Sequence, residues 1–247
     1  DVNQWVSQNK PDIVIICAAK VGGILANNNY PAEFLYQNLM IETNIINAAY
    51  INQISKLLFL GSSCIYPKYA SQPIKESELL TAPLESTNEW YALAKIAGIK
   101  LCQAYRKQYS SNFISAMPTN LYGPYDNFDL ESSHVIPALI RKTHDAFIEN
   151  RKAIKVWGSG LPKREFMHVD DCAEGIIFLL ENYSDYEHVN LGTGQELSIG
   201  DLVEMIKLAV GFTGETEYDN SKPDGTPRKL LNSEKIKAMG WHPKINL

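Results

Sequence analysis

Tyr91 and Lys95 stand four residues apart in the run Asn-Glu-Trp-Tyr-Ala-Leu-Ala-Lys, downstream of a strand-like stretch that ends in Gly61-Ser62-Ser63-Cys64. On a helix over 88–107, that spacing sets the phenol and the ammonium on one face, one turn apart. The chemistry open to them is proton transfer. A phenol with an unperturbed pKa near ~10 is a poor acid or base at neutral pH, and a cation held beside it brings that value down. Ser62 is placed to hydrogen-bond the oxygen that receives the proton. Alone, a Tyr and a Lys four apart describe an ordinary solvated helix face. The Ser-Ser at the preceding strand end tips the balance towards chemistry.

The elements that must position these groups read as an alternation of strands and helices. Residues 12–18, Asp-Ile-Val-Ile-Ile-Cys-Ala, form a continuous apolar run, the mark of a strand buried on both faces of a parallel sheet. A helix follows from Pro31 to about residue 52, with Phe34, Leu35, Asn38, Leu39, Ile41, Ile45, Ile46 and Ala49 at helical spacing. Lys56–Leu60 gives a second strand. After a proline-rich excursion through 67–87 comes the Tyr91–Lys95 helix, capped by Thr87 or Asn88. Phe113–Ala116 is a third strand, leading into Pro118-Thr119-Asn120-Leu121. This order implies right-handed crossovers and a Rossmann-like, doubly wound parallel sheet. Ligands in such sheets bind beyond the strand C-termini, where Ser62 and Asn120 fall.

Past Gly123 the elements become shorter and mixed: helices near 133–149, 171–182 and 198–210, with strands at 154–157, 188–191 and 215–218. They predict a smaller α/β substrate lobe. The expected division is a dinucleotide-binding domain over 1–130 and a mainly substrate-binding lobe over 131–247, some of whose segments return to the first domain. A cleft between the two is the expected ligand site. The glycine-rich loop that such folds place after their first strand is absent, and Lys20-Val21-Gly22-Gly23 reads as a bent loop with no clear helix start. With an amphipathic helical stretch at Asp1 and no completed element at Leu247, the expectation is a piece of a longer protein that lacks its first βαβ unit.

Bulk properties narrow the partners. The chain has 247 residues, is 45% hydrophobic and carries a formal net charge of −5, which argues against a nucleic-acid surface. No apolar run approaches the roughly 20 residues that span a bilayer. Cys17, Cys64, Cys102 and Cys172 show neither zinc-ligand nor disulfide spacing, and a reducing cytoplasm fits them.

Other residues are ambiguous from spacing alone. Cys64 is by default a small buried hydrophobe, and otherwise a thiol that removes a proton next to a carbonyl, activated by a nearby cation. His134 opens a helix, where a cap or surface role is the ordinary one. Arg164 and Lys229 are loop cations that could hold a diphosphate, and Trp157 is either core or a stacking platform. Asp170 and Asp171 precede a helix and most simply serve its N-terminus.

Taken jointly, Gly61-Ser-Ser-Cys-Ile-Tyr-Pro67, Tyr91-Ala-Leu-Ala-Lys95, Pro118-Thr-Asn-Leu-Tyr-Gly-Pro-Tyr-Asp-Asn127, Ser133-His-Val-Ile-Pro137 and Lys222-Pro-Asp-Gly-Thr-Pro-Arg-Lys229 are specific. They resemble the GDP-L-fucose synthase family, the GDP-4-keto-6-deoxy-D-mannose 3,5-epimerase/4-reductases of the extended short-chain dehydrogenase/reductase superfamily. The resemblance runs from Asp1 to Leu247. It implies an NADP(H) site in which Tyr91 protonates the C4 oxygen, Lys95 holds the ribose and Ser62 binds that oxygen. It also implies that Cys64 is the base and His134 the acid of the epimerisations, reversing the default for both. Leu60, Gly61, Ser62, Ser63, Pro118, Thr119, Asn120 and Leu121 match cofactor positions, as do Tyr91, Lys95 and His134. Asn120, Val135, Lys142, Trp157, Arg164, Asp224 and Lys229 match positions that hold the GDP-sugar. No metal is implied, and a homodimer is. Rivals on the same scaffold are nucleotide-sugar 4-epimerases and 4,6-dehydratases; a dehydratase would carry Thr-Asp/Glu where this chain has Ser-Ser-Cys. A non-catalytic nucleotide-sugar-binding fragment is the other alternative.

Overall fold

In the computed structural model, which describes residues 1–247, the chain opens with helix α1 (Val2–Asn9), strand β1 (Ile13–Ile16) and the short helix α2 (Ile24–Asn29). Helix α3 (Pro31–Ile51), strand β2 (Lys56–Leu60), helix α4 (Glu89–Tyr109) and strand β3 (Phe113–Pro118) follow. Next come β4 (Asn120–Tyr122), α5 (Val135–Ile148), β5 (Ala153–Trp157), β6 (Lys163–Arg164), β7 (Phe166–His168) and α6 (Val169–Asn182). The chain continues through β8 (Val189–Leu191), β9 (Leu197–Ser198), α7 (Ile199–Val210), β10 (Glu215–Asp219), β11 (Arg228–Lys229) and α8 (Glu234–Ala238). No helix is long and apolar enough to cross a membrane.

The main sheet is parallel throughout, in the order β1-β2-β3-β8, with Ile13 opposite Lys56, Leu57 opposite Phe113 and Ala116 opposite Val189. Side chains alternate across it, so each face has its own core. Leu57, Phe59, Phe113 and Met117 pack under α1, α3 and α4 with Val6, Ile46 and Ile99. Leu58, Ile114, Ala116, Val189 and Leu191 face the other way, against Cys172 and Ile176 of α6 and Ile236 of α8. Strands buried on both faces are largely apolar, which is why β2 after Lys56 and β3 apart from the buried Ser115 read as apolar runs. A separate core of Ile136, Leu139, Ile154, Val156, Phe166, Leu202, Val203 and Phe212 holds the second lobe. There β10 pairs with β5, and β11 and β9 flank β6.

Several local expectations give way to the structure. β1 is shorter than 12–18, and β3 extends to Pro118. Asn88 occupies the N-cap position of α4 but its side chain makes no capping bond, while the Thr87 hydroxyl donates to Glu85 at 3.3 Å. Gly22-Gly23 does lead into a helix, α2, steadied from inside by the Asn27 amide on the Gly22 and Gly23 carbonyls at 2.7 and 3.1 Å. That loop packs on the segment that presents His134: Gly23 N–H donates to the Ser132 carbonyl at 3.2 Å, and a Cβ on Gly23 would stand 2.8 Å from the Ser133 carbonyl oxygen. Asp171 lies in the first turn of α6, yet its carboxylate accepts from the Lys244 and Ile245 backbone N–H groups at 2.9–3.1 Å and fastens the 244–245 segment. The α6 cap is His168, whose ring accepts from Asp170 N–H at 3.2 Å.

Helix α4 lies close on β2 because of Gly98, where a Cβ would stand 2.5 Å from the tip of the buried Phe59 ring. Gly98→Ala gains about 1 kcal/mol of helix propensity but overpacks a rigid core at a cost of about 1–3 kcal/mol. A net loss of stability is expected, read as a lower urea midpoint at unchanged slope.

Candidate active site

The C-terminal ends of the sheet strands and the facing second lobe enclose a cleft of about 660 Å³. Every residue that the family resemblance assigns to the cofactor, the substrate or catalysis lines it. Leu60, Gly61, Ser62, Ser63 and Cys64 come from the end of β2 and the 3-10 turn after it, and Tyr91 and Lys95 from the first turns of α4. Pro118, Thr119, Asn120 and Leu121 come from the junction of β3 and β4, and His134, Val135 and Lys142 from α5 and its cap. Trp157, Arg164, Asp224 and Lys229 close the far wall.

Ser62 is placed by the turn it starts: its hydroxyl accepts from Cys64 N–H at 3.4 Å, which turns the Cys64 side chain into the cleft. The Tyr91 ring is steadied edge-on by Phe34, with centroids 6.4 Å apart. Lys95 is nearly sealed, at 3% exposure, with its ammonium donating to the Leu60 carbonyl at 3.0 Å and lying 4.7 Å from the Phe59 ring centroid. It stands 5.8 Å from the Tyr91 centroid. The expected lowering of the Tyr91 pKa is not what this arrangement produces. Burial pushes the phenol well above its ordinary range, with Cys64 and Glu42 adding to the rise and a hydrogen bond with Ser62 opposing it, while the ammonium spends a hydrogen bond on the Leu60 carbonyl. At rest Tyr91 is a firmly protonated donor.

Cys64 and His134 depart from their ordinary values in opposite senses. Burial raises the Cys64 thiol, opposed by the charge of Lys229, a hydrogen bond with the Ser62 side chain and the charge of Lys95. Burial lowers His134, with Asp126 opposing and Lys229 adding to the fall. The resting pair is therefore thiol and neutral imidazole. Lys229 is the partner that the sequence did not connect with Cys64. Half-buried and pushed down to about 8 by desolvation, it is set beside Arg164 by the pairing of β11 with β6. Removing it as Lys229→Met is expected to raise the thiol pKa further. Alkylation of Cys64 at fixed neutral pH, followed by peptide mass spectrometry to separate it from the exposed Cys17, is expected to slow.

The far wall is cationic and aromatic. Trp157 is 42% exposed, with the Lys142 and Lys222 ammonium groups 4.9 and 5.5 Å from its ring. Burial lowers Arg164 to about 10, and its guanidinium donates to the Asp224 carbonyl at 3.1 Å. The Asp224 carboxylate accepts from the Ser159 N–H and hydroxyl at 2.7 and 2.8 Å, fixing the turn after Trp157. Glu165, absent from the sequence reading, is wholly buried. It accepts from Gly194 and Leu231 N–H at 2.6 and 3.0 Å, while its carbonyl accepts from the Asn120 amide at 2.8 Å. It ties both lobes together behind the cleft. Nothing short of the fold reveals that, since its partners lie 29 and 66 residues away.

Lys95 uses one donor on Leu60 and faces the cleft with the others, and the strand-end backbones of Leu60–Ser63 and Pro118–Leu121 lie alongside. That donor set suits the ribose and nicotinamide of a dinucleotide. Comparison with known proteins agrees. The sequence pattern of the NAD dependent epimerase/dehydratase family matches residues 1–192. The chain is 60% identical over 247 residues to a GDP-L-fucose synthase of Sinorhizobium fredii, covering all of this chain and 79% of that protein. It is 53% identical over 255 aligned residues to GDP-L-fucose synthase of Escherichia coli, again covering all of this chain and 79% of the relative. Among solved structures, a GDP-L-fucose synthetase from Naegleria fowleri bound to NADP superposes with a TM-score of 0.89 at 32% identity, over 99% of this chain and 76% of that one. The chain belongs to the NAD dependent epimerase/dehydratase family and, within it, to the GDP-L-fucose synthases.

Proposed function

We propose that this chain performs the NADPH-dependent 3,5-epimerisation and 4-reduction of GDP-4-keto-6-deoxy-D-mannose to GDP-L-fucose. One observation carries the reading. A single cleft gathers Ser62, Tyr91 and Lys95 with Cys64 and His134, beside a cationic wall with an open tryptophan, in a chain 60% identical along its whole length to a GDP-L-fucose synthase.

The roles follow from the chemistry of each group. The 4-keto group makes the hydrogens at C3 and C5 acidic, and inversion at each needs a base on one face and an acid on the other. Cys64 is the base and His134 the acid. Their resting forms, thiol and neutral imidazole, differ from the working thiolate and imidazolium by one proton passed between them. Lys229 favours the thiolate and Asp126 favours the imidazolium, against a smaller opposing effect of Lys229 on the imidazole. In the reduction, Tyr91 gives its proton to the C4 oxygen, which Ser62 holds by a hydrogen bond. The buried Lys95 ammonium stabilises the tyrosinate left behind. Lys95, His134 and the Leu60–Ser63 and Pro118–Leu121 backbones would hold NADPH, which would supply the hydride for C4. Lys142, Arg164 and Lys229 pair with the substrate diphosphate, Trp157 stacks on the base, Asp224 holds the turn that carries the wall, and Asn120 and Val135 border the sugar.

The complete protein is expected to oxidise NADPH when given GDP-4-keto-6-deoxymannose; no oxidation with that sugar overturns the reading. The partners proposed are the GDP-sugar and a second copy of the chain. Tyr36 and Met40 of α3 with Trp90 and Leu93 of α4 present an exposed apolar surface that supports a homodimer, which sedimentation tests. Four free cysteines support a reducing cytoplasm.

A further inference from the structure

Glu42 breaks a buried stripe. Along α3, Phe34, Asn38, Glu42 and Ile46 recur every four residues and all face the sheet and α4, where an ionisable side chain is out of place. Glu42 is only 1% exposed, and neither of its carboxyl oxygens has a hydrogen-bond partner. The room it occupies is made by Gly98: the Glu42 carboxyl carbon lies 3.0 Å from where a Gly98 Cβ would be, and the Phe59 ring tip lies 2.5 Å from the same point. Phe59 is also the ring on which the Lys95 ammonium rests, 4.7 Å from its centroid. Glu42 and Lys95 thus border one aromatic ring in a seam behind the reductive pair. They form no ion pair, and the ammonium's hydrogen bond goes to Leu60.

An ionised carboxylate in so dry a place, with no well-aligned hydrogen bond to it, costs several kcal/mol, and the group relieves that cost by keeping its proton. We propose that Glu42 is a positioning residue for the reductive step, acting through Lys95: held as a neutral acid, it leaves the ammonium's field on Tyr91, and its ionisation switches reduction off on the alkaline side. The sense follows from charge. Burial, opposed by Lys95 and by the nearby Gly98 N–H, pushes the Glu42 carboxyl up to about 8. Above that, a new negative charge in the seam offsets Lys95 and holds the Tyr91 proton more tightly, so the phenol becomes a weaker donor. The other titratable groups facing the seam are Cys102 on α4, Cys64 in the turn after β2 and Cys17 in the loop after β1. None of these is a carboxyl group.

The proposal rests on the reductase reading only for the identity of the step it controls, and its test has an arm independent of activity. In infrared spectra of the unmodified protein without substrate, a protonated-carboxyl band is expected to persist where ordinary carboxyls, near ~4, are fully ionised, and to disappear with a midpoint near 8. Absence of that band at neutral pH overturns the proposal, whether or not the protein turns over and whether or not a variant folds. In single-turnover NADPH oxidation, the wild-type rate is expected to fall roughly three- to tenfold one unit above that midpoint. Glu42→Gln, neutral at every pH, is expected to lose the infrared band and keep its rate across the same range. An active wild type whose alkaline limb survives unchanged in Glu42→Gln overturns the proposal and leaves the functional reading intact. A wild type that oxidises no NADPH overturns the functional reading, and the infrared titration still decides the state of Glu42.

Discussion

Tyr91→Phe is expected to lower the rate of NADPH oxidation by about 10²–10⁴-fold, the range of a lost general acid, with little change in KM. The substitution removes one oxygen and leaves the ring on its edge-on contact with Phe34, so the fold has no reason to shift. The effect falls in kcat because the phenol acts only as charge develops on the C4 oxygen. Burial keeps Tyr91 protonated far above neutral pH, and the wild-type profile is therefore expected to show no limb from Tyr91 itself. Exchange of the C3 and C5 hydrogens with solvent, which needs only Cys64, His134 and the keto group, is expected to continue in this variant. A loss smaller than tenfold in single-turnover oxidation, where product release plays no part, contradicts the role.

Cys64→Ser is the complementary case. A serine hydroxyl is a far weaker base than a thiol at the same site, and Lys229 cannot make up the difference. Solvent exchange at C3 and C5 is expected to fall by about 10²–10⁴-fold. Reduction then acts on the unepimerised ketone, and the product is a GDP-6-deoxyhexose with C3 and C5 unchanged. The buried site and near-equal volume favour a folded variant, since Cys64 lies in a turn whose N–H is already held by Ser62. Epimerisation at the wild-type rate in Cys64→Ser shows that Cys64 is not the base.

The two halves of the site differ in how far the residues alone disclose them. The reductive half is legible locally. A strand end with Ser62, then Tyr91 and Lys95 one helical turn apart, depends on a continuous apolar run and a 3.6-residue period that the sequence carries openly. Cys64 and His134 were distinguished from a core thiol and a cap only by likeness to a family, because a single Cys or His has no period to break. Lys229 lies 165 residues from Cys64, and it is the pairing of β11 with β6 and the bonding of Ile74 to Leu230 and Asn232 that fix it in the same corner. The direction of the Tyr91 shift was hidden for another reason. Helical spacing sets a cation near the phenol, but the carbonyl of Leu60, which claims that cation, belongs to a different strand. Glu42 was visible as a charged residue at an apolar position of α3, a signal that a list of apolar positions passes over. Asp171 shows the opposite error: its place before a helix suggested a cap, while the fold uses it to hold residues 244 and 245.

The most direct test of the account is to run the reaction in D₂O with GDP-4-keto-6-deoxy-D-mannose and NADPH and to read the product by NMR. The expected product is GDP-L-fucose with deuterium at both C3 and C5 and the hydride-derived proton at C4. A product that retains protium at C3 and C5 with their original configuration would mark a simple 4-reductase, and would contradict the joining of Cys64 and His134 to Tyr91 and Lys95 in one reaction.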